Sequence, residues 1–351
     1  MLAGRHPILY TLRATRPSPP GDVGERNPGP FRENRHVAMS SPTIRQPARI
    51  ERGTALLALL AGALVIGVAP VLVRFAVAGP VSIAFWRLLF SLPLLTILAR
   101  RSQGGVGRPS RLAVLAGLAF ALDLAFWHNG IANTSVGKAT VLGNLTPVVV
   151  TAMSWIFLKQ RPARLFLLAT GLSIGGAWTM AAARGLGSVG PNPLLGDALS
   201  LAAAFWYALY FMAVSAARRV EGTARIMFWS ALTGAPLLLV AGVLLGEQSH
   251  PVTAAGWAAC VGLGVMHVVG QGAIAWALGR LPAATAAVTV LVQPVVAVVL
   301  GWILFNEIFG VWQSVGAVVA LTGVVLAQWA GRADPPLQLS PSTSTGARRS
   351  M

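Results

Sequence analysis

Charge is scarce in this chain: of 351 residues only 11% are Asp, Glu, Lys or Arg, and only ten are acidic. Soluble domains carry about 25% charged residues, so this composition cannot cover a water-facing surface. Cysteine is nearly absent. Cys260 is the single one and sits in an apolar run, which excludes a disulfide framework and a thiolate metal site; a small buried residue is its ordinary role. There is no Walker A motif, no HExxH, no dense cluster of metal ligands and no strand-period segment bounded by turns. Nucleotide-driven chemistry, zinc hydrolysis and a β-barrel therefore fall away. Two glycine patterns match catalytic motifs by letter only. GLSIG at 171–175 fits GxSxG but lies inside an apolar run, where no strand-to-helix elbow forms; its GxxxG spacing reads instead as close helix packing. GLGSVG at 185–190 fits GxGxxG with no strand before it, so the dinucleotide reading fails on context. No cofactor and no metal are expected.

What remains is apolar. Hydrophobic residues make up 55% of the chain, and mean hydropathy is +0.68. A bilayer core about 30 Å thick needs about 20 apolar residues per helix. Residues 54–331 divide into ten such runs: 54–75, 80–99, 112–132, 137–158, 163–183, 197–216, 224–245, 255–278, 283–305 and 311–330. Residues 1–52, with nine Arg, four acids and many Pro, read as a disordered basic tail, with Met39 a candidate true start; residues 333–351 read as a second tail. The net charge of +17 sits in tails and short loops, without the basic, aromatic-interleaved face that nucleic-acid binding requires.

The basic residues set the orientation. With the N-terminus inside, 23 of the 27 fall on the cytoplasmic side and three (Arg74, Lys138, Arg184) outside, with Arg87 inside a span. Under the positive-inside rule that asymmetry predicts both termini in the cytoplasm of a multi-pass protein of the cell (inner) membrane.

One pattern occurs twice. GNLTPVVVTAMSWIFL at 143–158 aligns with VLVQPVVAVVLGWILF at 290–305, an offset of 147 that also places Gly117 on Gly264, Ala139 on Ala286 and Gly176 on Gly323. The first copy is followed by Lys159, Arg161 and Arg164; the second, by NEIFG, has no basic residue. The copies should therefore face opposite ways. The predicted fold class is an all-α polytopic membrane protein, ten transmembrane helices as two inverted five-helix repeats (53–184 and 196–332), an architecture of secondary transporters.

FWRLLF at 85–90, the duplicated Pro-containing helix with Trp near its end, and Glu307 just past the second copy resemble the drug/metabolite transporter superfamily, specifically its ten-helix EamA-type members, over about residues 53–332. That family often has an acid after both copies, whereas here Lys159-Gln160 follows the first. The resemblance implies a central cavity lined by the first, third, fourth, sixth, eighth and ninth spans, with the fifth and tenth peripheral.

Charges at mid-bilayer need a partner or a wet cavity. Asp123 lies near the middle of the third span, His128 about 7 Å further outward by helix rise, and Arg87 between those depths in the second span. An Arg87–Asp123 ion pair and a substrate or proton role for Asp123 are both open. The second half supplies His267, Gln271 four residues on, and Gln293 before Pro294; Thr146 before Pro147 and Asn144 occupy the matching place in the first half. These amides serve equally as interhelical hydrogen-bond glue. Trp206 and Tyr210 share a face of the aromatic sixth span, either packing or walling a small organic substrate. Lys138 reads as an outer anchor. The expected function is that of a secondary transporter, a permease with export as one option, for small metabolites such as amino acids or related organic solutes, by alternating access around a central cavity. An intramembrane enzyme acting on a lipid-borne substrate is the alternative, and a receptor or sensor comes third. The expected partners are a small-molecule substrate, the bilayer and, as an open question, a second copy of the chain as a homodimer; nucleic acid is not among them.

Overall fold

The computed structural model describes residues 49–102, 104–134, 139, 142–183, 191–305 and 310–330. Met39, Lys138, Glu307 and both predicted tails lie outside these residues, apart from the tail's last few residues, which open the first helix. Every regular element among them is helical: α1 (Arg49–Gly67), α2 (Ala69–Ala76), α3 (Pro80–Arg101), α4 (Arg111–Asn133), α5 (Thr146–Leu158), α6 (Arg164–Ala183), α7 (Pro193–Ala217), α8 (Thr223–Leu244), α9 (Ala254–Met266), a π-helical turn (His267–Gln271), α10 (Gly272–Leu278), α11 (Ala283–Val290), α12 (Val292–Phe305) and α13 (Val311–Ala330). Among the described residues six stretches are long and apolar enough to cross a membrane, and Thr146–Leu158, Ala283–Ala297 and Ser314–Ala330 are shorter apolar helices. This is an all-helical polytopic membrane fold of about ten spans.

Proline explains several breaks. Pro70 has no N–H to donate and its ring crowds the preceding turn, and α1 gives way to α2 at Val68. Pro294 acts alike between α11 and α12, at Leu291. Pro93 and Pro236 are accommodated inside α3 and α8. Starts are set by local chemistry: the side chains of Ser110, Asn192 and Thr253 accept from Ala113, Leu195 and Gly256 N–H, satisfying donors that a helix N-terminus leaves free. The eighth span changes pitch without proline, through the π turn at His267–Gln271.

Small residues let the helices approach, since lipid offers no hydrophobic drive for helices to associate. A Cβ at Gly62 would meet the Gly270 carbonyl at 2.6 Å, so α1 runs against the π turn almost backbone to backbone. The α6–α13 contact is reciprocal at the offset of 147. A Cβ at Gly176 would stand 2.5 Å from the Gly316 carbonyl and also collide with Ala320; a Cβ at Gly323 would stand 2.5 Å from Ser173 N and 2.7 Å from the Ala169 carbonyl. Positions 169, 173 and 176 thus face their own counterparts 316, 320 and 323. Gly171 and Gly175, by contrast, have nothing within 4 Å of a Cβ. The GxxxG spacing at 171–175 is therefore not the packing face; the face offset from it, through Ser173 and Gly176, is.

Helix pairing follows a matching pattern. α3 packs on α8 and α6 on α13; α4 packs on α7 and α8, while the eighth span packs on α1 and α3. The α6–α13 pair is peripheral, with Leu168, Trp312, Val318, Val325 and Trp329 all exposed. Such an outward apolar coat is foreign to a water-facing surface and suits lipid.

Candidate functional site

Arg87 is the hub of a buried polar group built from four spans. The FWRLLF motif puts Trp86 and Arg87 on different sides of α3. Trp86 packs edge-on against Trp257 at 4.7 Å and donates from Nε1 to the Ser249 carbonyl at 2.8 Å. Arg87 is 9% exposed, with its Cζ 5.5 Å from the Phe120 ring centroid. Phe120 lies three residues before Asp123 on α4 and so on much the same face. Its ring is 4.9 Å from Tyr210 of α7 and 5.4 Å from His267 of the π turn. Gln271 donates from Nε2 to the Tyr210 hydroxyl at 3.1 Å, and Tyr207 stacks parallel to Tyr210 at 5.9 Å. Asp123, His128, His267, Tyr207 and Tyr210 all lie within electrostatic reach of Arg87.

Arg87 and Asp123 do not form a direct ion pair: among the described residues no carboxylate lies within salt-bridge distance of Arg87. Arg87 Nε, His128 Nδ1 and His267 Nδ1 are buried without a hydrogen-bond partner. Unpaired buried polar atoms are costly and rare, and two of these three, on Arg87 and His267, belong to side chains beside the Phe120 ring. His267, Gln271 and Tyr210 are each 1% exposed and His128 8%, whereas Asp123 and Tyr207 are only partly buried. The π turn presents His267 and Gln271 together; π-helical bulges inside α-helices frequently mark functional sites.

Of the residues expected from sequence, Arg87, Tyr210, His267 and Gln271 come together about Phe120, with Asp123 and His128 within electrostatic reach of Arg87. Asn144, Gln293 and Trp206 do not join them through any hydrogen bond, ion pair or ring contact. Asn144 Nδ2 and Gln293 Nε2 are buried without partners beside the proline breaks, Gln293 with its carbonyl against Gly67. Trp206 is half-buried, its ring 6.4 Å from Phe126. Phe120 and Tyr207 were missed, although the three-residue spacing from Asp123 and from Tyr210 pointed to both.

Both ends of the bundle are latched. Glu247 Oε2 accepts from Val81 N and Ser82 N at 2.9 and 3.0 Å, capping α3 from the α8–α9 loop, and Gly79 N donates to the Gln248 carbonyl at 3.0 Å. Thr134 Oγ1 donates to Asp197 Oδ1 at 2.8 Å, tying the end of α4 to α7. At the opposite end Arg225 Nη2 and Trp229 Nε1 donate to the Arg108 and Val106 carbonyls at 2.7 and 3.0 Å.

Known proteins share this plan. The EamA-like transporter family matches residues 53–182 and 194–329. An "Uncharacterized transporter" of Archaeoglobus fulgidus is 26% identical over 275 residues, spanning 77% of this chain and 94% of that protein. A protein of known crystal structure shares the fold with a TM-score of 0.68 at 18% identity, over 80% of this chain and 99% of that one. The family and the relative's name set aside the intramembrane-enzyme alternative. Matched over most of its apolar length, the chain belongs to the EamA-like transporter family and is a membrane transporter.

Proposed function

We propose that the protein is a secondary transporter of small organic solutes, such as amino acids or their relatives, working by alternating access about the Arg87 group. The observation that carries this reading is the convergence of Arg87, His267, Gln271 and Tyr210 about the Phe120 ring, with Asp123 and His128 within electrostatic reach of Arg87 and partnerless polar atoms on Arg87, His128 and His267. The group draws on α3 and α4 of the first family segment and on α7 and the π turn of the second. A site between two halves is where rocking of one against the other exposes it to each side in turn. In the cycle, Arg87 and the two histidines would receive acceptor groups of the solute and Asp123 a donor group. The latches at Glu247, Asp197 and Arg225 would open alternately. With no nucleotide motif in the sequence, the drive would come from the gradient of the solute or of a coupled ion.

The halves are proposed to be inverted repeats, supported by the two family segments, the reciprocal α6–α13 contacts and the paired helix contacts. Both termini are proposed to lie in the cytoplasm and the bilayer to be the cell membrane, on the strength of the basic asymmetry. The test is flux in proteoliposomes containing only this protein, screened over amino acids and related solutes. Saturable flux that is lost in Arg87→Gln, with that variant folded, is the expected result. Flux unchanged in folded Arg87→Gln would remove the assigned site.

A further inference from the structure

Arg218, at the end of α7, and Arg280, just past α10, lie near each other, and among the described residues neither forms an ion pair with a carboxylate. Arg280 covers the Trp276 ring, Cζ 3.7 Å from its centroid, and donates from Nη1 to the Trp276 carbonyl at 3.2 Å. Arg218 packs against Gly279, where a Cβ would meet its Nε at 3.0 Å. It donates from Nη1 to the Glu221 carbonyl, and its Nε is buried without a partner. The nearby acid is engaged elsewhere, Glu221 Oε2 standing 3.4 Å from Arg225 Nε. Burial first, and then the like charge of Arg280, lower the Arg218 pKa, yet an arginine stays protonated. Two partly buried cations in mutual reach are repulsive until an anion lies between them.

Trp276, whose ring Arg280 covers, also lines a cleft of about 450 Å³ between α1, α3, α8 and the eighth span. Ala58, Leu95, Leu98, Val269 and Ala273 give it an apolar wall. Met227 and Val268 close its inner side, and the Met227 sulfur accepts the Tyr210 hydroxyl at 3.8 Å. The cleft therefore backs directly onto the central polar group. Its volume falls within the range of small-ligand sites, about 300–1,000 Å³.

We propose that this cleft is a binding site for an anionic phospholipid, one acyl chain lying in the cleft and the phosphate held between Arg218 and Arg280. Basic pockets between membrane helices hold acidic head groups in this way. Assigning the lipid to the inner leaflet rests on the topology proposed above; the site itself does not.

The test is native mass spectrometry of the full chain in neutral detergent with phosphatidylglycerol or phosphatidylcholine of matched chains. Wild type is expected to prefer phosphatidylglycerol by about 30-fold, the factor two basic residues supply near a head group. Arg218→Gln/Arg280→Gln should erase the preference; if that variant does not fold, Arg280→Gln alone, which leaves the Arg218–Glu221 contact intact, should reduce it. Gly272→Leu fills the cleft from a position where a Cβ meets nothing within 4 Å, and it should reduce binding of both lipids with unchanged melting. Wild-type phosphatidylglycerol binding in either the arginine or the Gly272 variant overturns the proposal. So does displacement of the lipid by an equal concentration of glycerol 3-phosphate, which would make this a site for a free anion. Binding in detergent requires neither flux nor a known orientation, so its failure would leave the transport reading standing.

Discussion

Replacing Gly176 by alanine tests one of the close helix contacts among the described residues. The added methyl would stand 2.5 Å from the Gly316 carbonyl and also strike the Ala320 backbone. Ordinary contact is about 3.5 Å or more, so α6 and α13 must part by about 1 Å. Overpacking costs about 1–3 kcal/mol, and the upper half applies because both obstacles are backbone and no rotamer relieves them. Alanine returns up to about 1 kcal/mol in helix propensity, leaving a net loss of about 1–2 kcal/mol. Gly175→Ala, one residue away with nothing within 4 Å, keeps only the propensity gain and should be neutral or stabilising by about 0.5–1 kcal/mol. Gly323→Ala, the counterpart 147 positions on, should match Gly176→Ala. The double variant should lose less than the sum, since the helices part only once. Unfolding in mixed micelles, by denaturing-detergent titration and by thermal scan, measures all four. Equal shifts for Gly176→Ala and Gly175→Ala would refute the contact, and unlike shifts for 176 and 323 would refute its reciprocity.

Asp123→Asn should abolish flux with near-normal melting, because Asp123 makes no direct ion pair that the change would break; wild-type flux in Asp123→Asn/Arg87→Gln would show that the carboxylate only balances charge. Glu247→Ala removes two hydrogen bonds capping α3 and should cost about 1–2 kcal/mol at this half-buried site, with Glu247→Gln in between; unchanged melting in the alanine variant would count against the latch. Single cysteines introduced after Gly190 and after Ile308, in a Cys260→Ala background, should react with an impermeant reagent added outside intact cells. Protection of either, in folded protein, would reverse the proposed topology.

Much of the polar group was legible because the bilayer simplifies the reading. Every ionisable or amide residue inside an apolar run is conspicuous, so Arg87, Asp123, His267 and Gln271 stood out without a structure. What joins them did not. Phe120 and Tyr207 are ordinary aromatics in sequence, and only the packing of α4 and α7 around Arg87 gives them a place in the site. Trp206 was credited for sharing a helix face with Tyr210, but its ring turns toward Phe126. The Gly171–Gly175 spacing misled for a related reason: spacing tells which residues share a face, and rotation of the helix decides which face meets a neighbour.

Sequence alone determined the medium, the helical class, the approximate spans and the internal offset of 147, because these follow from composition, bilayer thickness and charge counted along the chain. Tertiary structure decided which buried groups meet, that Arg87 and Asp123 stay unpaired, that a π turn presents His267 and Gln271, and that Arg218 packs on Gly279 beside Arg280. These depend on helix rotation and tilt, which arise from contacts between segments far apart in the chain, such as Gly62 with Gly270 and Gly67 with Val296, and no local pattern in the chain encodes them.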